Sequence, residues 1–225
     1  MTIAENIARI RANMDAAARE AGRDPKEILL VGASKMNDAA ACREAVAAGI
    51  DALGENRVQE MVQKLEQHAY DGAPLHFIGH LQRNKVKQVV GHVALIQSVG
   101  SLELLDEIEK VAAARGLVQD ILLEVNIGRE AAKSGFAPEK VLPAAEASLE
   151  RTHVRVRGLM TIPPADAQRD ANFRYFQEVQ ALYVDMNQKL FHNELEYLSM
   201  GMSGDYEDAV RAGATMVRVG TAIFG

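Results

Sequence analysis

Apolar residues recur along this chain in two patterns, one helical and one extended. Near the amino terminus, four of them lie four, three and four positions apart on one face of a helix: Ile3, Ile7, Ile10 and Met14. Residues 28–31 read Ile-Leu-Leu-Val, an uninterrupted apolar run that is typical of a strand buried on both faces. The two patterns alternate to the carboxyl terminus and predict strands separated by helices.

The alternation predicts eight strands, each followed by a helix or by the chain end, and one additional helix in front. We expect the strands near residues 28–33, 52–54, 75–78, 93–97, 120–125, 154–159, 195–198 and 215–219. We expect the helices near residues 38–48, 56–68, 83–90, 102–115, 138–149, 169–190 and 204–212.

Parallel strands joined by helical crossovers form either an open doubly wound sheet or a closed barrel. Eight similar units within 225 residues favour closure. We therefore expect an α/β fold, a single (β/α)8 TIM barrel with an extra N-terminal helix, as one domain over residues 1–225. An open flavodoxin-like sheet is the alternative.

Composition narrows the function classes. A formal net charge of −6 argues against a general nucleic-acid or membrane-surface role. Cys42 is the single cysteine, which excludes an internal disulfide and a multi-cysteine metal site and fits a reducing compartment. The first ten residues mix acids and bases without the apolar segment of a signal peptide. The cytoplasm is therefore the expected location.

In a TIM barrel the active site lies where the strands end and the following loops begin. Lys35 directly follows the first apolar strand, so its side chain points either into the barrel mouth or outward as a solvated charge. An inward lysine among apolar strand ends would be desolvated, which lowers its pKa and leaves a neutral amine for imine formation. Both orientations remain open at this stage.

Two glycine- and serine-rich segments follow the last two strands, where barrels often bind a phosphate. Ser203 is predicted to be the N-cap of the next helix, and Gly220 and Thr221 offer a close backbone approach and a hydroxyl. Each segment alone is equally typical of a turn. Together with an inward lysine they indicate a phosphorylated aldehyde cofactor.

Arg218 lies between apolar residues on the last strand, where an unpartnered guanidinium is costly. A salt bridge with Glu55 or Glu124 is one interpretation. Contact with the pyridine nitrogen of pyridoxal 5'-phosphate (PLP) is the other, and it would keep that nitrogen unprotonated because arginine has no acceptor.

No metal site is expected from the histidines. His76 and His80 are four residues apart, but they lie on a strand that enters a loop, and no third ligand accompanies them.

Seven segments, in order over essentially the whole chain, make it resemble the pyridoxal phosphate homeostasis family and, more distantly, the barrel domain of alanine racemase. They are L-L-V-G-A-S-K at 29–35, G-E-N-R-V-Q-E at 54–60, H-F-I-G-H-L-Q-R-N-K at 76–85, K-S-G-F at 133–136, G-L-M-T-I at 158–162, S-M-G-M-S at 199–203 and M-V-R-V-G-T-A-I-F-G at 216–225. Their combination is highly specific for this family.

The resemblance implies that Lys35 forms a Schiff base with PLP. It also implies that PLP phosphate is bound by Ser203, Gly220 and Thr221, that Arg218 faces the pyridine nitrogen, and that the pocket is further lined by Asn56, His80 and Ser98. Racemases of this fold add a second domain that supplies a tyrosine base, and neither Tyr197 nor Tyr206 matches that tyrosine. No catalytic residue is therefore expected.

Three functions remain open. The first is a PLP-binding protein of vitamin B6 homeostasis, without rapid catalysis, whose partners are PLP and PLP-requiring apoenzymes. The second is a PLP-dependent amino-acid racemase. The third is a lysine-dependent aldolase, which would be colourless. We favour the first, and we expect a monomer that binds neither nucleic acid nor membrane.

Overall fold

The computed structural model describes residues 1–164 and 169–225. Within them, eight parallel strands form a closed barrel in chain order, and the last strand pairs with the first. The strands are β1 (Leu29–Ala33), β2 (Ala52–Glu55), β3 (Leu75–Phe77), β4 (Leu95–Val99), β5 (Gln119–Val125), β6 (Val154–Thr161), β7 (Tyr197–Ser199) and β8 (Met216–Val219). The predicted (β/α)8 barrel is confirmed, and the open sheet is excluded.

Helices precede the first strand, occupy six of the seven connections between strands and follow the last strand. They are α1 (Ile3–Glu20), α2 (Ala39–Ala47), α3 (Val58–Glu66), α4 (Leu102–Arg115), α5 (Pro138–Ser148), α6 (Arg169–Leu190), α7 (Tyr206–Arg211) and α8 (Thr221–Phe224). Short 3-10 turns form at Pro25–Glu27 and Arg83–Gln88. None of the helices within residues 1–164 and 169–225 is long and apolar enough to cross a membrane.

Several predicted elements differ from the observed ones in their bounds, and one differs in type. The segment at 83–90 is a 3-10 turn rather than an α-helix. Its buried residues are Val86, Val89 and Val90, which are three and one positions apart. A short 3-10 turn can bury side chains at this spacing as well as an α-helix can. The fourth strand begins at Leu95 rather than at 93 and continues to Val99. The prediction of one domain stays a prediction.

Strand side chains alternate between the barrel interior and the layer beneath the helices. The middle of the interior is an apolar cluster formed by Val31, Ala52, Leu95, Leu122, Met160 and Met216. Two positions further along three of these strands, the residues are still buried but polar. They are Gln97 after Leu95, Glu124 after Leu122 and Arg218 after Met216. The interior therefore changes from apolar to polar toward the carboxyl ends of the strands, where a TIM barrel carries its site.

Helix α1 packs across the junction between the first and last parts of the chain. Its buried Asn6 donates from Nδ2 to the carbonyl of Ile223, at 2.9 Å. Beyond its end, Arg23 donates to the carbonyls of Val210 and Ala214, both at 2.8 Å. These bonds fix the short helices α7 and α8, which follow the two loops that were predicted to bind phosphate.

Candidate functional site

A cavity of about 510 Å³ opens at the carboxyl ends of the strands, and its volume is typical of a small-molecule site. Four of the eight predicted residues line it: Lys35, Asn56, His80 and Arg218. Lys35 lines the cavity and is exposed at its mouth, so the condition considered for a desolvated amine, enclosure among apolar strand ends, is not met here. Strand β1 ends at Ala33, and Lys35 follows one residue after the buried Ser34.

Asn56 lines this cavity and has one unsatisfied polar atom. Its Oδ1 is buried and has no hydrogen-bond partner within the described residues. Gly79 makes this placement possible, because a Cβ there would lie 2.2 Å from the backbone oxygen of Asn56. An unpaired buried acceptor is costly, so it marks a place where a ligand donor would be favourable.

Ser98 lies outside the main cavity. Its hydroxyl donates to the carbonyl of Gly79 at 2.5 Å, and the residue lines a neighbouring cavity of about 370 Å³. His80 and Ser134 line both cavities. The resemblance implied that Ser98 lines the pocket, but β4 extends past this residue, and its hydroxyl bonds the loop that follows β3.

The three predicted phosphate-binding residues lie together beside the main cavity. Ser203 is not an N-cap: Asp205 precedes α7, and the Ser203 Oγ accepts from the amides of Gly220 and Ala222 at 3.3 and 3.4 Å. Gly220 passes close to β1, since a Cβ there would lie 3.1 Å from the carbonyl oxygen of Ala33. Thr221 begins α8 directly after it. The loops after β7 and β8 therefore meet next to the end of β1.

Arg218 is buried where the barrel interior meets the cavity, and it is bonded to neutral acceptors. It donates to Ser199 Oγ at 2.5 Å and to the carbonyl of Thr161 at 2.9 Å. Burial lowers the pKa of Arg218 to about 10, while Asp205 and Glu124 oppose this shift electrostatically. The proposed salt bridge with Glu55 is wrong, because Glu55 lies on the other side of the sheet, and Glu124 forms no direct ion pair with Arg218 in the described part of the chain.

A polar chain that the sequence reasoning missed continues from Arg218 into the barrel. Ser199 Oγ donates to Gln97 Oε1 at 2.6 Å, and Gln97 Nε2 lies 3.0 Å from His76 Nδ1. Burial lowers the pKa of His76 to about 4, so its ring is neutral at pH 7. The sequence does contain a sign of this chain, because polar residues occupy alternate positions of strands that are otherwise apolar.

A second missed cluster supports the backbone directly before Lys35. Lys64 Nζ donates to the carbonyl of Ser34 at 2.8 Å and pairs with Glu55 Oε1 at 2.5 Å, with both side chains buried. The same carboxylate oxygen accepts from the hydroxyls of Ser34 and Tyr70. The signal was the spacing of three residues between Val58, Met61 and Lys64, which places the lysine on the buried face of α3.

Two carboxyl groups border the site. Burial raises the pKa of Glu124, which accepts from the Ser134 hydroxyl at 2.9 Å. Burial also raises the pKa of Asp205, which accepts from the amide of Met202 at 2.6 Å and from Asn172 Nδ2 at 3.1 Å. Both groups add negative charge near Arg218. Within residues 1–164 and 169–225, no three or more metal-ligating side chains cluster together.

We predict that Lys64→Met destabilises the protein by about 3–5 kcal/mol, because it leaves the Glu55 carboxylate buried without its cation. The measurement is urea unfolding at pH 7. The matched control is Lys189→Met, which removes an exposed pair with Asp185 and should cost less than about 1 kcal/mol. The double variant Lys64→Met/Glu55→Leu should regain most of the loss, and equal losses in the single and double variants would contradict this interpretation.

We predict that His76 makes the unfolding free energy depend on pH. Its folded-state pKa of about 4 lies below the ordinary value of 6.5, so the unfolded state binds the proton more tightly. The stability is therefore complete above pH 6.5 and is lost as the pH falls toward 4, by about 3 kcal/mol in total. His76→Gln should lack this component, and a stability difference from the wild type that does not change with pH would refute it.

Comparison with known proteins places this geometry in a family. The family model described as alanine racemase, N-terminal domain, matches residues 6–225. A pyridoxal phosphate homeostasis protein of Aquifex aeolicus is 41% identical over all of this chain and 98% of its own length. The protein of the same name from Pseudomonas aeruginosa is 42% identical over all of this chain and 95% of its own length.

Solved structures agree with these relatives. PipY of Synechococcus elongatus, solved with PLP bound, has a TM-score of 0.87 and 32% identity, with each chain covered completely. An alanine racemase of Clostridium difficile has a TM-score of 0.69 and 18% identity, and the match covers 96% of this chain and 56% of the racemase. At this identity the similarity is evidence for the fold only. The chain therefore belongs to the pyridoxal phosphate homeostasis protein family, within the proteins that share the alanine racemase N-terminal domain.

Proposed function

We propose that this chain is a PLP-binding protein of vitamin B6 homeostasis. The observation that carries the proposal is the cavity of about 510 Å³, to which the strand ends bring an amine, a guanidinium and an unpaired amide oxygen. The homeostasis proteins that match the full chain, and PipY, whose structure contains PLP, support the same conclusion.

The residues at the cavity fit the parts of PLP. When bound, PLP supplies an aldehyde that condenses with an amine, and the Lys35 amine lies at the cavity mouth. Arg218 is proposed to donate to the ring nitrogen from the cavity floor. Asn56 Oδ1 offers an acceptor, and His80 borders the opening. Ser98 is proposed to act indirectly, by holding the Gly79–His80 backbone through its bond to Gly79.

The phosphate is proposed to bind where Ser203, Gly220 and Thr221 converge. The amides of Gly220 and Ala222 donate to Ser203 Oγ through long bonds of 3.3 and 3.4 Å, so a phosphate oxygen could replace that hydroxyl as their acceptor. Proximity of Gly220 to the end of β1 keeps the phosphate loops near Lys35.

We propose that the protein holds and releases PLP without rapid catalysis, as a cytoplasmic monomer, with PLP-requiring apoenzymes as recipients. The buried free thiol of Cys42 fits a reducing compartment. The alternative is an amino-acid racemase, which needs a base on each face of the substrate. Neither Tyr197 nor Tyr206 lines the described cavity: Tyr197 stacks under Arg157, and the Tyr206 hydroxyl accepts from Asn13.

Lys35 is predicted to be the covalent attachment point, because it is the lysine that follows β1 at the cavity. Borohydride reduction of the PLP-loaded protein, followed by peptide mapping, should find the phosphopyridoxyl mass on Lys35. Lys35→Ala should lose the visible absorption band that the loaded wild type shows. A mass on Lys133 or Lys85, with Lys35 unmodified, would overturn the assignment.

Ser203→Ala/Thr221→Ala is predicted to weaken PLP binding by one to several decades. A hydrogen bond to a charged group contributes about 1.5–3 kcal/mol, and about 1.4 kcal/mol corresponds to one decade in affinity. Affinity for unphosphorylated pyridoxal should change much less, because that ligand has no phosphate to bind. Fluorescence titration with both ligands checks this, and equal losses for the two would exclude the loops as the phosphate site.

Racemisation is predicted to be far below an enzymatic rate. A correctly placed acid–base group typically contributes about 10²–10⁴ in rate, and none of the tyrosines within residues 1–164 and 169–225 lines the cavity. The assay is PLP-loaded protein with L-alanine and other amino acids, followed by chiral chromatography, with Lys35→Ala as the control. A turnover number within roughly 1–10³ s⁻¹ that depends on Lys35 would establish the racemase alternative.

A further inference from the structure

Four strands contribute one residue each to a continuous chain of hydrogen bonds inside the barrel. Arg218 Nη1 on β8 is 2.5 Å from Ser199 Oγ on β7. Ser199 Oγ is 2.6 Å from Gln97 Oε1 on β4, and Gln97 Nε2 is 3.0 Å from His76 Nδ1 on β3. All four residues are buried, and of the four only Arg218 lines the main cavity.

The donor and acceptor chemistry of these groups fixes the direction of hydrogen-bond donation, which runs from Arg218 to His76. Arginine only donates, so Ser199 Oγ accepts from Arg218 and uses its own proton for Gln97 Oε1. Gln97 therefore turns its NH₂ group toward His76. His76 must accept through Nδ1 and carry its proton on Nε2, which agrees with a ring that is neutral because burial lowers its pKa to about 4.

The acceptors hold the guanidinium without neutralising it. Both direct partners of Arg218 are uncharged, the Ser199 hydroxyl and the Thr161 carbonyl. Glu124 and Asp205 influence its charge only through space. A directly paired carboxylate would occupy two N–H groups and cancel the charge. Here the remaining N–H groups have no partner within residues 1–164 and 169–225 and stay available to the cavity.

We infer that Ser199, Gln97 and His76 are positioning residues that fix the Arg218 guanidinium at the cavity floor through this directed chain. The consequence for the cofactor rests on the proposed function, in which Arg218 contacts the ring nitrogen of PLP. The chain itself is a property of the PLP-free protein, so it can be tested separately.

The first experiment uses the PLP-free protein. NMR of ¹⁵N-histidine-labelled protein should show the Nε2–H tautomer of His76 in the wild type, and the Nδ1–H tautomer would overturn the inference. In ¹⁵N-arginine-labelled protein, the Arg218 side chain should give resolved Nη signals because its bonds slow rotation of the guanidinium. Arg218→Lys identifies those signals by their loss.

Ser199→Ala removes the first acceptor, so the resolved Arg218 Nη signals should broaden or merge. Ser199→Thr keeps the hydroxyl and should restore them. The matched control is Ser148→Ala, which removes a buried serine hydroxyl that bonds the Ala145 carbonyl at a distance from this chain, and it should leave the signals unchanged. Wild-type Arg218 signals in Ser199→Ala would contradict the positioning role.

The second experiment adds PLP labelled with ¹⁵N in its ring. The wild type should give the shift of an unprotonated, hydrogen-bonded ring nitrogen, and Ser199→Ala should move that shift and weaken PLP binding about tenfold. Ser199→Thr and Ser148→Ala should match the wild type. If Arg218 is ordered in the wild type but does not contact the ring nitrogen, the proposed cofactor contact is refuted. The hydrogen-bond chain that positions Arg218 is then still supported. If the wild type shows the ring-nitrogen contact and Ser199→Ala leaves the ¹⁵N shift of the ring unchanged, the positioning role is refuted. The cofactor contact itself is then still supported.

Discussion

The pairing of β1 with β8 is the constraint on which the site depends. Val31 is opposite Arg218 and Gly32 is opposite Val219, so closure of the barrel brings the two ends of the sequence together. This register places the end of β1, with Lys35 beyond it, beside Gly220. An open sheet made from the same strands would leave the amine and the guanidinium on opposite edges.

Closure also creates the enclosed interior in which polar groups interact strongly. A guanidinium in this environment is costly unless its donors are satisfied, and Arg218 obtains its acceptors from β6 and β7. The apolar layer formed by Leu95, Met216 and their neighbours lies below it and excludes water. The protein therefore carries a cation whose charge faces the cavity, which suits a ligand with a ring acceptor and an anionic phosphate.

Outside the barrel, an ionic cluster holds the segment that precedes Lys35. Lys64 and Glu55 form their pair between β2 and α3, and Lys64 also fixes the Ser34 carbonyl, one residue before Lys35. Lys35 itself is exposed. The cluster therefore fixes the backbone directly before Lys35, while the Lys35 side chain stays accessible.

The sequence by itself determined the barrel, its strand order and the family, because apolar periodicity is local and the motifs around Lys35 and Arg218 are contiguous. It also indicated which strand ends carry polar chemistry. Only the tertiary structure decided that Glu55 bonds Lys64 rather than Arg218, and that Ser203 accepts from Gly220 instead of capping a helix. Partners such as Ser199 and Gln97 are 102 residues apart in sequence, and no local pattern specifies a bond between side chains that meet only when the barrel closes.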